Sequence, residues 1–140
     1  MKQNEEEVIM KLSMFEQQIQ QLQQQIGAIE RGIVELSSLN LGLDEIVGGK
    51  DKEIFAAIGK GIFARAKLTS EDLNVDVGGG NFVKKTIPET KQLIEEQVGK
   101  LQEVKKELEN NLERIGEEFN SMINQIQQGN SEHNHGESED

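Results

Sequence analysis

From Val8 onward apolar residues recur at alternating spacings of four and three: Val8, Leu12, Phe15, Ile19, Leu22, Ile26, Ile29, Ile33 and Leu36. Sustained periodicity near 3.5 residues keeps one stripe turned toward a partner helix. The segment therefore reads as coiled coil rather than as the wider-striped amphipathic helix of a globular core. Strict counting beyond Leu36 puts Asn40 in the stripe, but the apolar track moves to Leu39, Leu43 and Ile46. That predicts a one-residue slip with a local change of supercoil winding. Asn4 with Glu7 suggests a capping box and Gly48-Gly49 a left-handed stop, giving a helix over about 4–47, about 65 Å long at the helical rise.

A second stripe follows at Ile94, Val98, Leu101, Leu108, Leu112, Ile115, Phe119, Met122 and Ile126, with Lys105 filling its one gap. A lone charged residue in a seam lowers stability but fixes register. Thr86-Ile87-Pro88-Glu89 fits a capping box with proline in the first turn, which predicts a helix over about 87–128. Two helices of matched length separated by about 40 residues suggest an antiparallel hairpin whose facing residue numbers sum to about 135. Phe15 then lies near Phe119, Leu12 near Ile123 and Val8 near Ile126. Five glycines interrupt the helices, at 27, 32, 42, 99 and 116. Each costs about 1 kcal/mol against alanine in an exposed helix interior.

Between the helices the period drops to about two. Segments 53–58 and 62–68 flank Gly59-Lys60-Gly61, and segments 73–77 and 81–85 flank Gly78-Gly79-Gly80. These read as two β-hairpins over 53–86. Ile62, Ala64, Ala66 and Leu68, and likewise Leu73, Val75 and Val77, form apolar faces, with Arg65, Lys67, Asn74 and Asp76 opposite. Four short strands with open edges need covering, and completion by other subunits is the natural solution. The fold class is α+β: a long antiparallel coiled-coil helical hairpin with two β-hairpins between its helices.

Composition supports an extended helical framework over a compact core. Among 140 residues there are 5 Phe, no Trp and no Tyr, and Pro88 is the single proline. The net charge of −11 disfavours nucleic acid and acidic membranes as partners. By segment it is −5 for 1–47, +2 for 48–87, −4 for 88–128 and −4 for 129–140. Residues 129–140 have no apolar member and read as a disordered acidic tail, outside a single domain over 1–128. The absence of cysteine excludes disulfides, thiolate metal sites and Cys nucleophiles. The N-terminus has no apolar signal core and no run approaches a membrane span, so a cytoplasmic location is expected.

No catalytic constellation emerges. His133 and His135 have no structured third ligand, and the glycine runs lack the strand-loop-helix context of a phosphate loop, so no metal or cofactor is expected. The carboxylates lie on solvated helix exteriors without the buried pairing that acid–base catalysis requires. The strongest signal is at the free ends of the arms. Val8, Ile9, Leu12, Met14 and Phe15 on the first helix, with Phe119, Met122, Ile123 and Ile126 on the second, exceed what a two-stripe seam needs; Ile9, Met14 and Ile123 fall outside it. Two readings fit: these residues close the coiled coil, or they form an exposed, adaptable apolar contact surface.

The order helix, two β-hairpins, helix resembles the α class of the prefoldin family of ATP-independent co-chaperones. Ile58-Gly59-Lys60-Gly61-Ile62-Phe63-Ala64-Arg65-Ala66-Lys67-Leu68 is similar to that family's first hairpin, and Val75 to Ile87 to its second hairpin running into the C-terminal helix. The resemblance covers about residues 5–128. It implies that the hairpins join an oligomeric β-barrel in a hetero-oligomer of two α and four β subunits. It also implies that arm tips hold non-native proteins for delivery to a group II chaperonin. Assembly contacts would fall on Ile54, Ile58, Ile62, Phe63, Leu68, Leu73, Val75, Val77, Phe82 and Val83, and client contacts on the distal apolar residues already named. The alternatives are a structural coiled-coil spacer or tether, and a filament-forming member of the family, each with the hairpins as its oligomerisation module.

Overall fold

The computed structural model describes the backbone of residues 2–138 and the side chains of residues 4–129. Two long α-helices enclose two antiparallel hairpins in the order α1 (Lys2–Glu45), β1 (Glu53–Gly59), β2 (Ile62–Lys67), β3 (Leu73–Asp76), β4 (Phe82–Lys85) and α2 (Ile87–Ser138). The chain divides into two compact units, Met1–Glu30 with Glu103–Asp140, and Arg31–Gln102. Both helices contribute to each unit.

In the first unit the expected stripes face each other. Val8, Leu12, Phe15, Ile19, Leu22 and Ile29 of α1 are half-buried, as are Leu108, Leu112, Ile115, Phe119, Met122 and Ile126 of α2. Ile26 is buried, at 9% exposure. Half-burial is what a seam between only two helices achieves, because each side chain has one partner surface and solvent on its flanks. Lys105 occupies its seam position by extending outward: its Nζ lies 3.3 Å from Glu30 Oε1 across the seam and 3.7 Å from Glu109 Oε1 one turn along α2. The numbers of Glu30 and Lys105 sum to about 135, the register the matched stripes predict. The capping box at Asn4 does not form, since α1 already runs from Lys2 and Asn4 lies inside it. Glu5 in the first turn complements the helix dipole and makes the earlier start favourable. At the other end α2 continues through Ser138, past the expected limit of 128. The tail's last two residues and the side chains from 130 onward, His133 and His135 included, lie outside the described residues.

In the second unit Leu43, Ile87 and Ile94 form a small core, backed by Leu36, Ile46, Leu73 and Val98. Lys91 pairs with Asp44 across the helices, and Leu101 Cδ1 lies 3.6 Å from the position a Cβ on Gly32 would take, so the two helices are antiparallel in this seam as well, near the same register. The expected slip at Leu39 does not occur. Leu39 is 52% exposed, whereas Asn40 holds the seam position between Leu36 and Leu43, with its Oδ1 buried and without a hydrogen-bond partner. Leu43, 8% exposed and packed on Ile87 and Ile94, belongs to both tracks; the shift comes one turn later, just past the end of α1, where Ile46 backs this core and Val47, the next strict heptad position, is 59% exposed.

Local chemistry ends and starts the elements. After α1, Gly48 takes φ 71°, and Gly49 N donates to Ile46 O at 3.0 Å, closing the helix with a tight turn. Thr86 caps α2: its Oγ1 accepts from Glu89 N at 3.2 Å, while its carbonyl accepts from Thr90 N at 3.0 Å and Thr90 Oγ1 at 2.8 Å. The first hairpin closes on Lys60 and Gly61 at φ 49° and 79°, the positive pair whose twist suits a two-residue connection. Gly79 and Gly80 at φ 60° and 79° close the second, where Asn81 N donates to Gly78 O at 3.1 Å.

Candidate functional site

Two surfaces concentrate exposed apolar side chains, one in each unit. In the first, an open groove of about 770 Å³ lies along the distal part of both helices. Lys11, Met14, Phe15 and Gln18 line it from α1, and Glu117, Glu118, Ser121, Met122 and Gln125 from α2. Phe15 and Met122 belong to the seam and are half-buried, so the floor is the edge of the coiled coil; Met14, at 57% exposure, stands beside it. Of the other residues singled out from the sequence, Val8, Leu12, Phe119, Ile123 and Ile126 are half-buried and Ile9 is 64% exposed. Met10, 67% exposed, was not legible as part of this surface. It falls on neither the seam nor its flank, and only its closeness to Ile9 and Met14 would have marked it.

The second surface is the pair of hairpins. β1 pairs with β2 through Ile54↔Ala66, Phe55↔Arg65, Ala56↔Ala64 and Ala57↔Phe63, then shifts at a bulge between Ala57 and Gly59 that leaves Ile58 without an opposite residue. Ile54, Ala56, Ala64, Ala66 and Leu68 are half-buried. Phe55 and Phe63 alternate with them and occupy the opposite face beside Arg65. The first hairpin is therefore apolar on both faces, not on one. Phe55, Ile58, Ile62 and Phe63 are 60–72% exposed. Phe55 escaped the sequence reading because the unbroken run Ile54-Phe55-Ala56-Ala57-Ile58 conceals which residues share a face.

β3 pairs with β4 through Leu73↔Lys85, Asn74↔Lys84, Val75↔Val83 and Asp76↔Phe82. Leu73 and Val75 are half-buried, while Val77, Phe82 and Val83 are exposed. Phe82 shares its face with Asn74 and Lys84, opposite Val75 and Val83. Each hairpin is a separate two-stranded sheet, so every strand has one open edge. Large exposed aromatics beside unpaired backbone edges are the chemistry of an unfinished sheet awaiting further strands.

Among the described residues there is no group of three side chains suited to a metal ion, and no helix is long and apolar enough to cross a membrane.

The family model for a prefoldin subunit matches residues 15–132. Prefoldin subunit alpha of Methanobrevibacter smithii is 26% identical over 87% of this chain and 84% of its own length. Prefoldin subunit alpha 2 of Thermococcus kodakarensis is 30% identical over 57% of each chain. Among solved structures, filamentous PFD from Methanocaldococcus jannaschii superposes with a TM-score of 0.72 at 20% identity, covering 80% of this chain and 94% of that one.

Proposed function

The chain belongs to the prefoldin family, whose members are non-enzymatic chaperones that assemble with one another, and from that premise we propose that it is a holdase subunit acting in the cytoplasm. In this reading the distal groove captures apolar segments of non-native proteins, and the hairpins join β-class subunits in a hexamer of two α and four β chains that passes clients to a group II chaperonin. The observation that carries it is the groove itself. Phe15 and Met122 on its floor and Met14 beside it offer polarizable, adaptable contacts on an otherwise solvated acidic arm. Several such arms in one assembly raise the effective concentration of weak sites, and the charged exteriors keep a loaded complex dispersed. Capture of this kind uses no nucleotide.

The proposed assembly surface comprises Ile54, Ile58, Ile62, Phe63, Leu68, Leu73, Val75, Val77, Phe82 and Val83, to which Phe55 is added. The open edges of both hairpins also favour a second reading, end-to-end growth into a filament, since nothing in two separate sheets limits the number of strands added.

The test is light scattering of a chemically denatured, aggregation-prone protein diluted into nucleotide-free buffer, with the chain assembled alone or with a β-class partner. Suppression at near-stoichiometric complex, lost when Phe15, Phe119 and Met122 are replaced by Ser, is the expected result. Unchanged scattering from a verified assembly would instead favour a structural tether.

A further inference from the structure

The arm segment that holds the groove carries a charge pattern that capture of apolar chain does not require. Over residues 5–18 and 113–128, which bracket the groove on both helices, there are seven carboxylates (Glu5, Glu6, Glu7, Glu16, Glu113, Glu117 and Glu118) against two basic groups, Lys11 and Arg114. All nine side chains are exposed. The ion pairs among the described residues lie elsewhere, at Lys91–Asp44, Lys105–Glu30 and Lys105–Glu109. Arg114 donates to Asn111 Oδ1 at 3.4 Å rather than to a carboxylate. The arm segment around the groove thus carries a net negative field; of its charged groups Glu117, Glu118 and Lys11 line the groove directly.

Resting on the holdase reading, we propose that this groove selects among apolar segments by charge and takes those that are net positive. Glu117 and Glu118 at the groove, within an arm segment whose seven carboxylates outnumber its two basic groups, repel any acidic ligand. A segment whose apolar residues sit on Met14, Phe15 and Met122 and whose flanking lysines or arginines reach the rim escapes that repulsion. The apolar floor supplies adhesion that is indifferent to sequence, and the rim supplies the discrimination, mainly through encounter rate and the rejection of like charge. Because the rim is exposed, the effect works within a Debye length of about 8–10 Å at physiological ionic strength and collapses to about 3 Å at 1 M salt.

The experiment uses the assembled complex with a photo-cross-linker placed at Gln18, a groove-lining position, so that only this groove is read. Two unfolded polypeptide probes share every apolar residue and differ in carrying either lysine or glutamate at the same flanking positions. The expected result is cross-linking of the lysine form at roughly five- to tenfold lower probe concentration in low salt, with the two forms converging at 1 M salt. E117K/E118K reverses the preference and E117Q/E118Q reduces it, whereas E95K/E96K, an equal charge change in the other unit, leaves it in place. Equal cross-linking of both probes at low salt, or a preference abolished equally by E95K/E96K, overturns charge selection while leaving capture standing. Cross-linking of neither probe overturns the groove as a capture site, and the proposal with it.

Discussion

Replacing Asn40 by Leu tests the packing of the second unit at its weakest point. Asn40 holds a seam position next to Leu36 and Leu43, and its Oδ1 is buried without a donor. An orphaned buried acceptor costs roughly 1–3 kcal/mol, and a half-buried leucine, branched at the same atom, adds about 1 kcal/mol of apolar burial. Together these predict a stabilisation of about 2–4 kcal/mol for Asn40→Leu. For a chain of this size that corresponds to a rise in Tm of roughly 5–10 °C. The assay is thermal unfolding followed by circular dichroism at one fixed protein concentration, because assembly makes Tm concentration-dependent. Asn40→Ser, smaller and still polar, serves as the control and is expected to lower Tm. An Asn40→Leu variant that melts at or below the parent would refute the reasoning. It would mean that water reaching the adjacent groove of about 390 Å³ satisfies the amide, so that no buried orphan exists to remove. The gain carries a cost in specificity, since a single polar seam residue penalises shifted registers that an all-apolar seam tolerates.

Other substitutions address the local geometry. Gly42→Ala places its Cβ in open space within α1 and is expected to stabilise by about 0.5–1 kcal/mol, whereas Gly49→Ala brings a Cβ to 3.0 Å from Ile46 O and should destabilise by about 1–2 kcal/mol; denaturant titration of both separates a tolerated glycine from a required one. Thr86→Ala removes the acceptor for Glu89 N and should cost about 1 kcal/mol, with hydrogen exchange accelerating first in the opening turn of α2. Val75→Asp with Val77→Asp puts charge on the apolar face of the second hairpin and is expected to leave the helical content intact while reducing the assembly to single chains in multi-angle light scattering; persistence of the assembly would move the interface to other residues.

Much of this molecule follows from short-range patterns. The four-and-three spacing sets one stripe on each helix, because the backbone rise and turn fix which residues share a face. Thr86 with Glu89 starts α2, residues 60–61 meet the positive φ that a two-residue hairpin connection demands, and Gly79-Gly80 supply it at the centre of the 78–81 turn within the longer second connection. Matched stripe lengths also set the antiparallel register, seen at Glu30–Lys105 in one unit and Asp44–Lys91 in the other. The apolar excess at the arm ends was likewise legible, since more large side chains are present there than one seam can hide.

Tertiary structure decided which of two neighbours is buried. Leu39 is the more apolar and 52% exposed, yet Asn40 takes the seam: both flank the same Leu36–Leu43 stripe, and which side of it is covered depends on how the partner helix packs there and not on the preference of either residue alone. It likewise decided that Phe55 and Phe63 face away from Ala56 and Ala64: a continuous apolar run carries no period, and only the pairing with β2 and the bulge at Ala57/Gly59 assign its faces. The groove at Phe15 and Met122 needs residues separated by most of the chain to meet. Its apolar parts are readable in sequence, but their arrangement exists only once the two helices have packed.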